Sequence, residues 1–186
     1  MKIYFITRNK HKFLEASKIM ERYGIELRML KANKVEIQAR SLREIVLYSL
    51  ASLYPGINKP VVVEDAGLFI RALNWFPGPY SSYVYETIGC KGILKLMENI
   101  EDRYAKFKSV IGFMDSNHIK LFEGEVEGTI AYRELGSKGF GFDPIFTPKG
   151  VNVTFAQMDV EEKNKYSHRA KAFKKLAKWL VNEKMK

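Results

Sequence analysis

Four short stretches of this chain place residues with chemical capacity at the joints between elements. Thr7-Arg-Asn-Lys-His-Lys12 follows the apolar run Ile3-Tyr-Phe-Ile6 and precedes a helical pattern. In open α/β folds such a strand-to-helix junction faces the ligand crevice, and the helix start adds unpaired N–H groups and the positive end of its dipole. Thr7, Asn9 and Lys12 together would hold a phosphate. The glycines of a Walker loop are missing, and an ordinary helix cap before a solvated face explains the same residues. Glu64-Asp65 closes the β-branched run Pro60-Val-Val-Val, with Ala66-Gly67 read as the break after it. Side chains alternate along a strand, so the two carboxylates face opposite ways, and Asp65 at the strand end is the better candidate for a cleft mouth. Glu36 stands in a loop ahead of the capping-box pattern Ser41-Leu-Arg-Glu44. A Glu36–Asp65 pair would suit Mg²⁺, which binds through one or two carboxylates plus substrate phosphates. A solvated strand end is the plain alternative.

Ser137-Lys-Gly-Phe-Gly-Phe-Asp-Pro-Ile-Phe146 alternates glycine with aromatics and ends on an acid. Glycine admits close backbone approach, Phe140 and Phe142 offer flat apolar faces, and Asp143 offers a fixed acceptor. A planar heterocycle needs such a pocket; a turn into a buried strand, with both phenylalanines in the core, is the plain reading. Ser167 is a natural N-cap, which puts His168 and Arg169 in the first turn of the last helix. Basic residues there oppose the helix dipole, and a bound anion or electron-rich ligand would offset that. Phe76-Pro-Gly-Pro-Tyr-Ser-Ser82 reads as a rigid turn.

The elements that must position these groups follow from periodicity. Residues 2–6, 25–30 and 60–64 read as strands. A helix with Phe13, Ala16, Met20 and Tyr23 on one face ends at Gly24, and a second runs from the capping box to about Tyr54, before Pro55-Gly56. The first third is therefore β-α-β-α-β, which favours an α/β sheet. Further on, 86–99 reads as helix, 104–114 and 118–130 as a hairpin turning at Asp115-Ser-Asn-His118, 143–147 as a short strand and 167–182 as a last helix. The expected architecture is a single domain over residues 1–186: a mixed sheet with flanking helices, in two lobes around a cleft.

Composition sets the bounds. A chain of 186 residues can bury a full core, and no apolar run is long enough to span a bilayer. The first apolar run is too short for a signal peptide and Cys90 is a lone cysteine; both favour a cytoplasmic protein, and a catalytic thiol is disfavoured. The net charge of +10 fits nucleic-acid binding, attraction of a polyanionic small substrate, or a Lys/Glu-rich surface of the hyperthermophile kind. The lysines are scattered, which weakens a purely non-specific nucleic-acid role.

Five pieces in order resemble the inosine triphosphate pyrophosphatases, the Ham1-like proteins: Thr7-x-Asn9-x-x-Lys12, Glu64-Asp65-Ala66-Gly67-Leu68, Pro77-Gly-Pro-Tyr-Ser81, Gly139-Phe-Gly-Phe-Asp-Pro144 and Ser167-His-Arg169. The resemblance spans residues 7–169. It implies an elongated α/β fold with a long mixed sheet and a cleft between two lobes, a homodimer, and Mg²⁺-dependent hydrolysis of (deoxy)inosine and xanthosine triphosphates to monophosphate and pyrophosphate. It implies triphosphate contacts at Thr7, Asn9 and Lys12, and metal and water-activating carboxylates at Glu36 and Asp65. It also implies a base-side platform at Phe140, Phe142 and Asp143, a phosphate-contacting Lys163, and base reading by Ser167, His168 and Arg169. Two positions depart from many relatives: Ala66 stands where a hydroxyl is common, and no lysine lies between Tyr48 and Ser52. Two other functions stay open at this level: a basic nucleic-acid-binding protein without catalysis, and a nucleotide pyrophosphatase of different base specificity.

Overall fold

The computed structural model describes residues 1–33, 35 and 37–184. Its sheet has the strand order β2-β1-β3-β4-β5-β6. β1 (Lys2–Ile6), β2 (Glu26–Leu30) and β3 (Val61–Ile70) are parallel, because helices α1 (Lys10–Glu21) and α2 (Leu42–Ile57) make the crossovers. β4 (Tyr104–Met114) and β5 (Ile119–Ile130) form the long hairpin, and β6 (Phe146–Pro148) adds a short antiparallel edge. At the hairpin tip Asp115 N–H donates to the His118 carbonyl, and Asp115 Oδ1 accepts from the N–H groups of Asn117 and His118. Helices α3 (Ser81–Thr87) and α4 (Gly89–Leu96) follow β3, and α5 (Val160–Tyr166) and α6 (His168–Lys184) close the chain. The mixed α/β sheet with flanking helices agrees with the sequence reading.

Several boundaries differ from it. Ala66-Gly67 does not break β3: Ala66 pairs with Ser109 and Gly67 with Lys108, and the strand continues to Ile70. Gly67 serves closeness instead, since a Cβ there would lie 2.2 Å from the Gly78 carbonyl oxygen. Pro55-Gly56 does not end α2. The helix stops at Asn58, which takes a left-handed φ of 48° and returns its N–H to the Tyr54 carbonyl. The helical stretch at 86–99 is two helices bent at Ile88-Gly89, Gly89 having φ 60°. α5 was not anticipated; Asp159 caps it by accepting from Glu162 N–H.

Alternation along the strands sorts the interior into three cores. Val61, Val63 and Val110 face α2 with Val46 and Leu50. On the opposite face, Val62, Ile111 and Phe113 pack under α1 and α6. Farther along that same face Leu68, Ile70, Ala105, Phe107 and Val126 form another core with α3, α4 and Phe146. Between these last two cores, the same parity places Glu64 and Ala66 on β3, Ser109 on β4 and Gly124 on β5, with Ser109 registered against both Ala66 and Gly124. A polar band thus crosses the sheet between two apolar lobes.

The open edge of β5 is guarded. The Glu123 and Glu125 carbonyls accept from Lys175 and Lys171 of α6 at 2.7 and 2.8 Å, so the strand offers these acceptors to no further chain. The same helix presses its first turn onto β5, where a Cβ at position 124 would meet the His168 carbonyl oxygen at 2.0 Å. Gly124→Ala is therefore expected to lower stability by about 1–3 kcal/mol in urea unfolding. Gly56→Ala, with nothing within 4 Å, should be neutral or stabilising by up to ~1 kcal/mol. Equal midpoints for the two variants would remove the close-approach argument.

Candidate active site

Strand β1 stops at Ile6 and registers with β3 only at Tyr4↔Val61 and Phe5↔Val62, so β3 projects beyond it. Beside that projection a cleft of about 850 Å³ opens, lined by Asp65, Ala66 and Gly67 of β3. The start of α1 supplies Asn9 and Lys12. The loop before β6 supplies Phe140, Phe142 and Asp143, α5 supplies Lys163, and α6 supplies His168 and Arg169. Tyr80 and Tyr85 come from the turn before α3 and from α3 itself. Residues far apart in sequence thus meet at the C-terminal side of the parallel strands, the usual ligand crevice of such sheets.

Local chemistry explains each placement. Asn9 caps α1, its Oδ1 accepting from Lys12 N–H at 3.0 Å, while Thr7 Oγ1 accepts from Asn9 N–H at 3.1 Å. Thr7 is half-buried at this turn and is not among the cleft-lining residues. The turn at Pro77–Tyr80 is tied to β3 through Ser81, whose hydroxyl donates to the Gly78 carbonyl and accepts from Leu68 N–H. In the aromatic loop Phe140 N–H donates to Asp143 Oδ2; Gly139 has φ 74°, and a Cβ there would lie 2.1 Å from that same oxygen. Only glycine satisfies both demands. Phe140 is half-buried at the cleft, whereas Phe142 lies in the core of the second lobe under the edge of the Tyr85 ring. Ser167 is buried and caps α6 through Ala170 N–H; it does not line the cleft. Glu36 lies outside the described residues.

Beneath the cleft floor runs a chain of ion pairs that fills the polar band. Lys163 Nζ reaches Glu15 Oε1 at 2.7 Å and Asp143 Oδ2 at 2.6 Å. Arg169 pairs with Glu15 Oε2 at 2.5 Å and, through Nε, with Glu64 Oε1 at 2.9 Å. Ser109 Oγ donates to Glu64 Oε1 at 2.8 Å, and Lys12 lies 3.2 Å from Glu64 Oε2. The Lys12 side chain is 20% exposed, against 4% or less for the other five charged groups. Burial alone would raise the Glu64 carboxyl, but the charges of Arg169 and Lys12 and the Ser109 hydrogen bond hold it at about 2. Glu15 is likewise pushed up by burial and drawn below its ordinary value by Arg169 and Lys163. Asp143 goes the other way: burial wins over Lys163, and the neighbouring Glu15 adds to the rise. Burial disfavours charge on Arg169, yet Glu64 and Glu15 keep it protonated. These carboxylates supply the anions that a basic first turn of α6 calls for.

His168 is buried, stacked on Phe107 at 4.8 Å, and pushed well below its ordinary pKa by burial and then by the charge of Arg169. It is neutral at pH 7, and its Nδ1 has no hydrogen-bond partner among the described residues. A buried polar atom left so is uncommon in a folded protein. Burial first, and the Glu134 and Asp143 charges after it, push the Cys90 thiol up to about 12, which removes it as a nucleophile. Among the described residues no three His, Cys, Asp or Glu side chains form a metal cluster. Asp65 is half-buried on the cleft wall, and Glu64 is held beneath it by Arg169 and Lys12.

Glu15 and Ser109 were missed from sequence. Glu15 had one signal: it lies within the buried arc of α1, beside Ala16, Ile19 and Met20, one turn after Lys12. A carboxylate is almost never fully buried without a partner. Removing it leaves Lys163 with Asp143 alone and Arg169 with Glu64 alone in a buried seam that has lost one negative charge, so Glu15→Gln is expected to cost about 3–5 kcal/mol by chemical denaturation. Glu161→Gln breaks only the exposed pair with Lys18 and should cost less than ~1 kcal/mol. Glu64 predicts an acid limb. Its folded pKa lies below the ordinary 4.5, so its stabilisation is present above pH 4.5 and is lost as pH falls towards about 2. The raised Asp143 acts oppositely, gaining stability as it protonates. Thermal midpoints followed from pH 6 to pH 2 should fall in that window for the wild type and flatten in Glu64→Gln.

Comparison with known proteins places this geometry. A dITP/XTP pyrophosphatase of Methanothermobacter marburgensis is 51% identical over 180 residues, covering 96% of each chain. One from Hyperthermus butylicus is 47% identical over 178 residues, covering 96% of this chain and 94% of its own. Among solved structures, a HAM1 protein from Coxiella burnetii superposes with a TM-score of 0.86 at 27% identity, covering 98% of this chain and 99% of its own. The Staphylococcus aureus Ham1 protein gives 0.84 at 28% identity, covering 98% and 100%. Residues 3–179 match the Ham1 family as a whole, and the chain belongs to that family.

Proposed function

We propose that this protein hydrolyses purine nucleoside triphosphates carrying hypoxanthine or xanthine (ITP, dITP and XTP) to the monophosphate and pyrophosphate. The observation that carries this reading is the convergence in one cleft of a capped helix start with Lys12, the carboxylate of Asp65, the Phe140 ring and the buried edge of His168. The relatives described as dITP/XTP pyrophosphatases support it.

The reaction needs a water aimed at the α-phosphorus and pyrophosphate as leaving group, so most of the work is positioning and charge stabilisation. Lys12 is the network cation nearest solvent; together with the N–H groups at the start of α1 it receives phosphate oxygens. Asp65, on the projecting part of β3, orients the water and accepts its proton. Mg²⁺ would be held by Asp65 and, on the family pattern, Glu36, and it would neutralise phosphate charge. Lys163 is sealed between Glu15 and Asp143, so it acts on the substrate through the field it contributes at the cleft floor. On the base side Phe140 offers a stacking face, and neutral His168, which lines the cleft, offers a ring nitrogen as donor or acceptor. A donor aimed at the six-position pairs with the carbonyl of hypoxanthine or xanthine and is left unpaired by the amine of adenine, a difference worth ~10⁴-fold or more.

A homodimer and a cytoplasmic location belong to the same reading. The broad exposure of Trp75, Phe76, Tyr80 and Tyr83 along one turn and helix supports the dimer. The lone Cys90 fits a reducing compartment.

Pyrophosphate release should be fast from ITP and XTP with Mg²⁺, abolished by EDTA, and slow from ATP. Asp65→Asn should lower kcat by roughly 10²–10⁴-fold. Cleavage of ATP as fast as ITP would defeat the donor account of selectivity, and cleavage of only a modified pyrimidine triphosphate would replace the substrate class.

A further inference from the structure

The Phe140 ring is already in use. The His11 imidazole stacks on it with a centroid distance of 5.4 Å and an interplanar angle of 19°. Lys163 Nζ and the Arg169 guanidinium also lie over the ring, 4.9 and 5.4 Å from its centre. These neighbours differ in how firmly they are held. Lys163 and Arg169 are 2% exposed and pinned by the buried ion pairs. His11 is exposed, in the first turn of α1, and among the described residues the stack on Phe140 is the one ring contact of its side chain. The Phe140 backbone is fixed by the bond of its N–H to Asp143 Oδ2, so the ring does not retreat from the cleft with its loop.

We propose that His11 sets substrate affinity by occupying the stacking surface of Phe140 in the free protein, so that an incoming purine must displace it. This rests on the nucleotide-hydrolysis reading above and adds a residue to it. The imidazole is a flat ring of the right kind to mimic the base, and it is tethered to the helix whose start receives the phosphates. Displacement loses one aromatic stack and gains another, so part of the base's stacking energy never appears as affinity. His11 is an affinity-setting residue and not a catalytic one.

Two measurements on the full-length protein test this. The first is NMR of the His11 ring protons, assigned by their loss in His11→Ala. Ring current from Phe140 should shift them upfield in the free protein, and saturating IMP should return them towards ordinary values. The second is steady-state kinetics with ITP. His11→Ala should lower KM by roughly two- to tenfold, the worth of one aromatic stack, and raise kcat/KM accordingly. His11→Phe, which keeps the stack, should leave KM unchanged or raise it. The proposal is overturned if IMP shifts other cleft resonances but leaves His11 untouched, or if His11→Ala raises KM, since the imidazole would then be a partner of the base. A wild type that neither cleaves ITP or XTP nor responds to IMP at any resonance would instead defeat the nucleotide reading, and the displacement idea with it.

Discussion

Charges taken out of water must find each other, and the fold is arranged around that demand. One face of the sheet carries two apolar cores that could have merged into one. They do not, because Glu64 and Ser109 stand between them with partners from α1, the aromatic loop, α5 and α6. Several members satisfy more than one neighbour: Lys163 bridges two carboxylates, Arg169 bridges two, and Glu64 meets Arg169, the Ser109 hydroxyl and the charge of Lys12. Sharing of this kind offsets the desolvation that makes isolated buried pairs unprofitable. It also fixes four separate segments relative to one another without apolar contact between all of them.

The cleft inherits its character from this seam. Its floor consists of groups whose charge near neutral pH is set by burial and by one another: Arg169 is held charged and His168 held neutral within one turn of α6. The walls are then free to differ. One offers the start of α1 and the amine of Lys12, another the aromatic loop. A ligand with a polyanionic tail and a flat polar head finds both in one cavity, and the field needed for charge build-up is in place before it arrives.

Much of this was legible in the sequence, and the illegible part has a common cause. The β-α-β-α-β opening, the long hairpin and the cap at Ser167 each depend on residues within a dozen positions of one another, so local pattern exposes them. The grouping of Asn9, Lys12, Asp65, Phe140 and Arg169 was reachable because residue types with chemical capacity sat at element junctions. Glu15 and Arg169 are separated by 154 positions, and Ser109 and Glu64 by 45; no periodicity links such pairs. Ala66-Gly67 misled for the same reason. A glycine that looks like a stop is there because another backbone, that of Gly78, comes within touching distance.

That contact makes the cleft mechanically lopsided. The Pro77–Tyr80 turn is bolted to β3 through the Ser81 hydroxyl, the bare Cα of Gly67 and the bridge between Pro77 and Phe69, and β3 is bonded along its full length to β4. A jaw built that way transmits force to the whole sheet and hardly yields by itself. The opposite jaw is built differently: at the first turn of α1 His11 is exposed, and Lys12 is the least buried charged group of the seam. The rigid side gives the cavity a reference surface. A side chain added at Gly67 would press on the Gly78 carbonyl, and so on the wall of the opening itself.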